Sequence, residues 1–134
     1  MPRPSKKTVH KKSSVAIKDI HVLEVSAKKV AGQGTVQDLK VNWKTDINEF
    51  TGDFFRIIAE CQVSFDPPMF FELAAKYAID YTHDGISRSE VEKRIDDLAV
   101  PCCGKNTLIM AELSQNLQGY PVIIAPYIER DTKK

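Results

Sequence analysis

Residues 54–81 read FFRIIAECQVSFDPPMFFELAAKYAIDY. Two alternating runs flank Asp66-Pro67-Pro68. In the first, Phe55, Ile57, Ala59, Cys61, Val63 and Phe65 share one face, opposed by Phe54, Arg56, Ile58, Glu60, Gln62 and Ser64. In the second, Met69, Phe71, Leu73, Ala75, Tyr77, Ile79 and Tyr81 share a face, opposed by Phe70, Glu72, Ala74, Lys76, Ala78 and Asp80. Strand side chains point alternately to opposite faces, so alternation held over about a dozen residues marks a strand with one buried side. Two such strands joined by a short proline turn form an antiparallel hairpin.

Upstream, Leu39, Val41 and Trp43 alternate as another strand, and Asn48 to Asp53 turn the chain. Val15, Ile17, Ile20, Val22, Leu23, Val25 and Val30 make residues 15–30 a β-branched strand. It is bulged, because alternation slips near Ile20. Gly32-Gln33-Gly34 is a loop; no helix start follows it, as a phosphate-binding turn would require.

Downstream, Ser87-Arg88-Ser89-Glu90 is a capping box, and Val91, Ile95 and Leu98 line a short helix that Pro101 ends. Asn106 is placed to cap a second helix, with Ile109, Leu113 and Leu117 as its apolar stripe. Leu108, Met110 and Ala111 widen that stripe, which predicts burial on more than one side. Gly119 fits the left-handed position that ends helices, and Pro121 blocks continuation. The predicted fold is α+β: a four-stranded antiparallel sheet followed by two helices and an extended C-terminal arm.

A chain of 134 residues, 43% hydrophobic and 28% charged, suits one soluble domain. No apolar run approaches the ~20 residues of a membrane span. The basic N-terminus lacks the apolar core of a signal peptide, and an odd count of three cysteines suits a reducing compartment, so the expected location is cytoplasmic. Residues 1–14 carry +5 and the remainder −4. We expect a disordered basic tail over 1–14, a folded domain over 15–128 and a flexible tail over 129–134. The basic tail is either a solvated arm or a nucleic-acid contact, which would make the protein a nucleic-acid-associated adaptor. The tail has no aromatic residue to stack on bases, which argues against that alternative.

Catalytic signals are missing. His10, His21 and His83 are isolated in sequence, and Cys102-Cys103 lacks the spaced second pair of a zinc site. These cysteines read as small buried hydrophobes, and Asp96-Asp97 as the solvated side of a helix end. We therefore expect no catalytic residues, no cofactor and no metal. The informative feature is leftover apolar surface: Phe54, Ile58 and Phe70 sit among charges on the second sheet face. They pack under the C-terminal arm, lie in an oligomer interface, or receive other polypeptides.

The C-terminal third resembles SecB, the bacterial protein-export chaperone family. Cys103, Asn106, Leu108, Ala111, Glu112, Gly119, Pro121 and Pro126 fall in that family's order. Lys18-Asp19-Ile20 looks like the start of its first strand, Lys40-Val41-Asn42 like its second, and Glu72-Leu73 falls in its fourth. The resemblance spans residues 15 to 128. It implies an ATP-independent holdase that binds unfolded or precursor polypeptides in apolar grooves and assembles as a homotetramer. Ile109, Leu113 and Leu117 would then form the oligomer interface. Trp43, Phe54, Ile58, Phe70, Tyr120 and Ile123 would contact client, and Asp19 and Glu72 would dock the SecA motor. This sequence departs from the export members at Leu23, where a second acid is expected, and at Gly32-Gln33-Gly34, which lacks their groove-lining aromatic residue. It also closes on Lys133-Lys134 rather than on an acidic tail. These departures leave two duties open: export, or service to a dedicated client such as an antitoxin.

Overall fold

The computed structural model describes residues 14–32 and 38–130. The basic segment apart from Ser14, the loop residues Gln33 and Gly34, and residues 131–134 lie outside it. Four strands form one antiparallel sheet: β1 (Val15–Val30), β2 (Asp38–Phe50), β3 (Phe54–Asp66) and β4 (Phe70–His83). Their spatial order is β1-β4-β3-β2. Strands β2 to β4 follow one another through short turns, while β1 lies beyond β4, so the chain crosses from one sheet edge to the other in Greek-key fashion. Gly32 begins this crossing against the β3–β4 turn. A Cβ there would lie 2.0 Å from the Pro68 carbonyl oxygen, so only glycine fits.

The β3–β4 hairpin is as the alternation predicts. Phe55, Ile57, Ala59, Cys61, Val63, Phe71, Leu73, Ala75, Tyr77 and Ile79 are all buried on one face. In β1 the register shifts twice, between Ile17 and Asp19 and between Val22 and Glu24. Each bulge absorbs one residue, so the unevenly spaced Ile17, Ile20, Val22 and Val25 reach the same face, opposite Tyr81, Ile79, Tyr77 and Ala75. The slip expected near Ile20 thus occurs on both sides of it. The turn expected from Asn48 is shorter: β2 runs to Phe50 and absorbs Asn48 as a bulge between Ile47 and Glu49.

A helical layer covers the buried face. Helix α1 (Arg88–Lys93) starts at Ser87, whose Oγ accepts from the Glu90 N–H at 3.1 Å. The single short helix expected here is two. Arg94 leaves helical geometry (φ −110°, ψ 18°), and α2 (Ile95–Ala99) follows. A 3-10 turn, Val100–Cys102, carries Pro101 and feeds α3 (Cys103–Gln118). Gly119 ends α3 at φ 93°.

Asn106 is not the cap. Because the 3-10 turn already delivers the chain in helical geometry, α3 starts at Cys103, and Asn106 is buried within it. There its Oδ1 accepts from the Tyr77 hydroxyl at 2.6 Å. Four residues on, the Tyr81 hydroxyl donates to the Leu98 carbonyl at 2.7 Å. Neighbouring tyrosines on one face of β4 thus hold α3 and α2. The face of α3 against the sheet is Cys103, Asn106, Met110 and Ser114, mostly small side chains that let the helix approach closely. The expected stripe of Ile109, Leu113 and Leu117 lies beside that face, half-buried, and Leu108 is 72% exposed.

Candidate functional site

After Gly119 the chain turns back along α3. The Val122 N–H donates to Ser114 Oγ at 2.7 Å, and Thr107 Oγ1 donates to the Ile124 carbonyl at 2.8 Å. The arm then reaches β2. Arg130 Nη1 donates to the Trp43 carbonyl at 2.5 Å, while its Nε and Nη2 grip Asp96 of α2 at 2.8 and 2.7 Å. Each partner shifts the other. The Arg130 hydrogen bonds hold the Asp96 carboxyl below the usual range, and Asp96 raises the Arg130 guanidinium above its own. Arg130 falls in the segment expected to be a flexible tail, and Asp96 was expected merely to face solvent.

Between arm and strand runs a groove of about 430 Å³ whose lining includes Leu39, Val41 and Trp43 from β2 and Ile124, Ala125 and Tyr127 from the arm. Strand β2 is the sheet edge. The Trp43 carbonyl points away from β3, since it is free to accept from Arg130. Main-chain groups of an edge strand alternate in direction, so Leu39, Val41 and Trp43 all present their N–H and C=O outward. Leu39 is 39% and Tyr127 53% exposed. The Trp43 indole N–H is buried without a partner, a state costing about 1–3 kcal/mol. The site therefore offers an unpaired strand edge beside a mixed lining, in which these apolar side chains alternate with Lys40, Asn42, Glu129 and Arg130.

The expected client contacts divide between two sides of the sheet. Trp43, Tyr120 and Ile123 are on the helical side; Trp43 is buried in the groove lining, and Tyr120 and Ile123 are exposed on the arm. Phe54 and Ile58 are on the outer face, where Phe54 lies under the Lys18 ammonium (5.5 Å) and Ile58 pairs with Ala78. Phe70, at the start of β4, meets Phe65, a residue packed against the core, edge-on at 5.2 Å. Phe54 pairs with Thr82, at the opposite end of β4 from Phe70, roughly 40 Å away at strand rise. One groove walled by Phe54, Phe70 and the arm is therefore not formed, because the length of the sheet separates Phe54 from Phe70. Phe70 is 44% exposed and adopts φ 66°, a strained conformation for an aromatic residue.

The outer face is a ladder of paired charges. Arg56 forks onto the nearly buried Asp80 at 2.6 and 2.9 Å and holds its carboxyl below the usual range. His21 Nε2 stands 3.4 Å from both Asp19 and Asp80. Glu72 pairs with Lys28 at 3.6 Å and Glu24 with Lys76 at 3.8 Å. Asp19 and Glu72, the expected docking acids, thus share this face, each beside a base. A second hollow, of about 420 Å³, is lined by Ser26, Gln62, Glu72 and Ala74 together with Val63 and Leu73.

Cys61, Cys102 and Cys103 are fully buried and unbonded. Burial pushes the Cys61 thiol up to about 11, and the Cys103 contact together with burial raises Cys102 further. His83 is tied into a turn: its Nε2 meets the Thr51 carbonyl at 2.8 Å, and its Nδ1 accepts from the Gly85 N–H at 3.1 Å. Among the described residues no cluster of side chains is arranged to hold a metal, and no helix is long and apolar enough to cross a membrane.

This architecture is the α+β, SecB-like fold that the resemblance in sequence implies. The chain is similar to the Mycobacterium tuberculosis Rv1957 SecB-like chaperone, solved in complex with a ChAD peptide from the Rv1956 HigA1 antitoxin. The TM-score is 0.69 at 11% identity, over 83% of this chain and 88% of that one. A protein of unknown function from Streptococcus agalactiae is similar more loosely, with a TM-score of 0.48 at 14% identity, over 85% of this chain and 98% of the other. No family model matches the chain, and no curated protein sequence does.

Proposed function

We propose that this protein is an ATP-independent cytoplasmic holdase that keeps extended apolar segments of non-native polypeptides in the groove between β2 and the C-terminal arm. The carrying observation is the unpaired edge of Leu39, Val41 and Trp43 with apolar side chains beside it. An extended chain added there gains main-chain hydrogen bonds without regard to sequence, and buries alternate side chains. Service to a dedicated client, such as an antitoxin, is the duty we favour over export. It is supported by the SecB-like neighbour's antitoxin peptide and by the pairing of Glu72 with Lys28, which leaves that acid less free to dock a motor. Homo-oligomerisation, to a tetramer, is supported by exposed Ile17, Val22 and Val25 on β1 and by Leu108 beside the half-buried Ile109, Leu113 and Leu117 of α3.

The test is refolding of a slow-folding client without nucleotide, alongside native mass. Refolding should be arrested at stoichiometric protein, and the species should be larger than a monomer. Unimpeded refolding at tenfold excess would remove the holdase reading. Salt-sensitive nucleic-acid binding lost on deleting residues 1–13 would favour the adaptor instead.

A further inference from the structure

Arg130 joins three parts of the molecule. Its fork grips Asp96 of α2, its Nη2 also donates to Thr45 Oγ1 of β2 at 3.1 Å, and its Nη1 donates to the Trp43 carbonyl. Thr45 Oγ1 in turn donates to Asp96 Oδ1 at 3.2 Å, which ties the carboxylate to the strand as well. A forked arginine–carboxylate pair fixes direction as well as distance.

The contact with Trp43 falls on the strand edge that a client would use. A polypeptide adding to β2 takes the outward groups of Leu39, Val41 and Trp43 in turn. The Trp43 carbonyl is already occupied by the guanidinium. A client strand therefore finds Leu39 and Val41 open and is stopped at Trp43 until Arg130 moves. The arm is fixed to α3 at Val122 and Ile124 and to β2 and α2 at Arg130, so residues 125–129, which supply one wall of the groove, are held between two anchors. Trp43, whose indole N–H is buried without an acceptor, is one of the residues that line this same groove.

We infer that residues 125–129 are a strap latched by Arg130, and that release of Arg130 from Trp43 and Asp96 opens the whole strand edge to a client. The inference rests on the proposed polypeptide-holding role of the groove. Closed, the latch covers part of an edge that would otherwise pair with other sheets. Open, it extends the site beyond Trp43. Both latch side chains are about 40% exposed, so solvent competes for the pair and the closed state is only modestly favoured.

The experiment compares the full chain with Arg130→Gln and Asp96→Asn, two variants that cut the latch from opposite sides. The probe is a labelled twelve-residue peptide of alternating apolar and polar residues, followed by fluorescence anisotropy. Amide exchange over residues 39–43 and 122–130 is measured in parallel, and thermal melts establish folding. Both variants should bind the peptide about fivefold more tightly, because a ligand no longer shares its site with a closed state. Exchange over 125–130 should quicken. A wild-type protein that ignores the peptide while both variants bind it would also support the latch. Faster exchange with unchanged affinity would overturn it, leaving Arg130 as a structural clip while the groove reading stands. Weaker binding by both folded variants would make Arg130 part of the client-contacting wall and overturn the latch. Absence of binding by all three folded proteins would overturn the groove reading and the latch together.

Discussion

Tyr77 and Asn106 meet at 2.6 Å in the fully buried space between β4 and α3, hydroxyl to side-chain oxygen. This bond fixes the helix on the sheet. Tyr77→Phe leaves the Asn106 oxygen without its donor, and Asn106→Leu leaves a buried phenol without its acceptor. Each single change should cost about 1–3 kcal/mol, whereas the double change, which removes both polar groups, should recover much of the loss. Urea denaturation of the four proteins of the cycle measures the coupling. Strictly additive losses would mean that the bond contributes nothing.

The Arg56–Asp80 fork gives a pH signature. Asp80 is held below its ordinary value by Arg56, so its contribution to stability is complete above the unfolded carboxylate value of ~3.9 and is lost as pH falls through the lower folded value. Asp96 acts in the same direction through Arg130. Arg56→Leu leaves a nearly buried carboxylate with only His21 beside it and should cost about 2 kcal/mol at pH 7. Thermal melts from pH 2.5 to 7 should show the gap from wild type narrowing as pH falls below the unfolded carboxylate value of ~3.9 toward the lower folded value of Asp80. A constant gap would mean that Asp80 does not titrate as the fork requires.

Two pairs of substitutions separate the sides of the sheet. Leu39→Ser with Tyr127→Ser removes partly exposed side chains from the groove. It should weaken client capture about tenfold or more, because two apolar surfaces no longer shelter the client from water. Phe54→Ser with Phe70→Ser acts outside the groove and should leave capture near wild type. Client-refolding arrest by wild type and both double variants decides the matter. The reverse pattern would return the client to the face where sequence alone suggested it.

The thiols should be silent in the native state. Cys61, Cys102 and Cys103 have no exposed surface; burial disfavours the thiolate at Cys61, the Cys103 contact and burial disfavour it at Cys102, and Cys103, whose thiol the Cys102 contact lowers, is kept from reagent by burial alone. A thiol reagent at pH 8 should label none of them until denaturant unfolds the protein, with labelling then tracking the loss of helical signal. Rapid labelling without denaturant would show an opening of the α3–sheet contact.

Strands β3 and β4 were legible because each buries one face along most of its length, and such a strand writes that face into every second residue. A bulge in β1 was legible as broken alternation near Ile20, but the second register shift, between Val22 and Glu24, was not. The break at Arg94 was hidden, because Val91, Ile95 and Leu98 keep a helical spacing across it. Asn106 misled through its chemistry: an asparagine before an apolar run fits a cap, and nothing local reveals that a tyrosine about thirty residues upstream supplies its partner. The site was less legible for a topological reason. Pattern assigns a residue to a face but does not say which strand is the edge. That β2 is unpaired on one side depends on β1 lying next to β4, a pairing between distant segments. Leu39, Val41 and the Tyr127 segment were visible as apolar residues, and Arg130 only as a terminal charge. Nothing in their spacing brings them together.

The placement of β1 also sets the order of events when the chain is made. Val15 pairs with His83 and Val30 with Phe70, so no residue of β1 meets its partner until β4 has left the ribosome. Strands β2, β3 and β4 close locally and early, whereas β1 waits on loop closure over a long span. At ordinary translation speeds of 5–20 residues per second, about 2–8 seconds pass between synthesis of Val30 and of Phe70. Throughout that interval Ile17, Ile20, Val22 and Val25 have no strand to pair with. On the proposed function, such an apolar segment is the kind the finished groove would hold, and a mature copy would be its first chaperone.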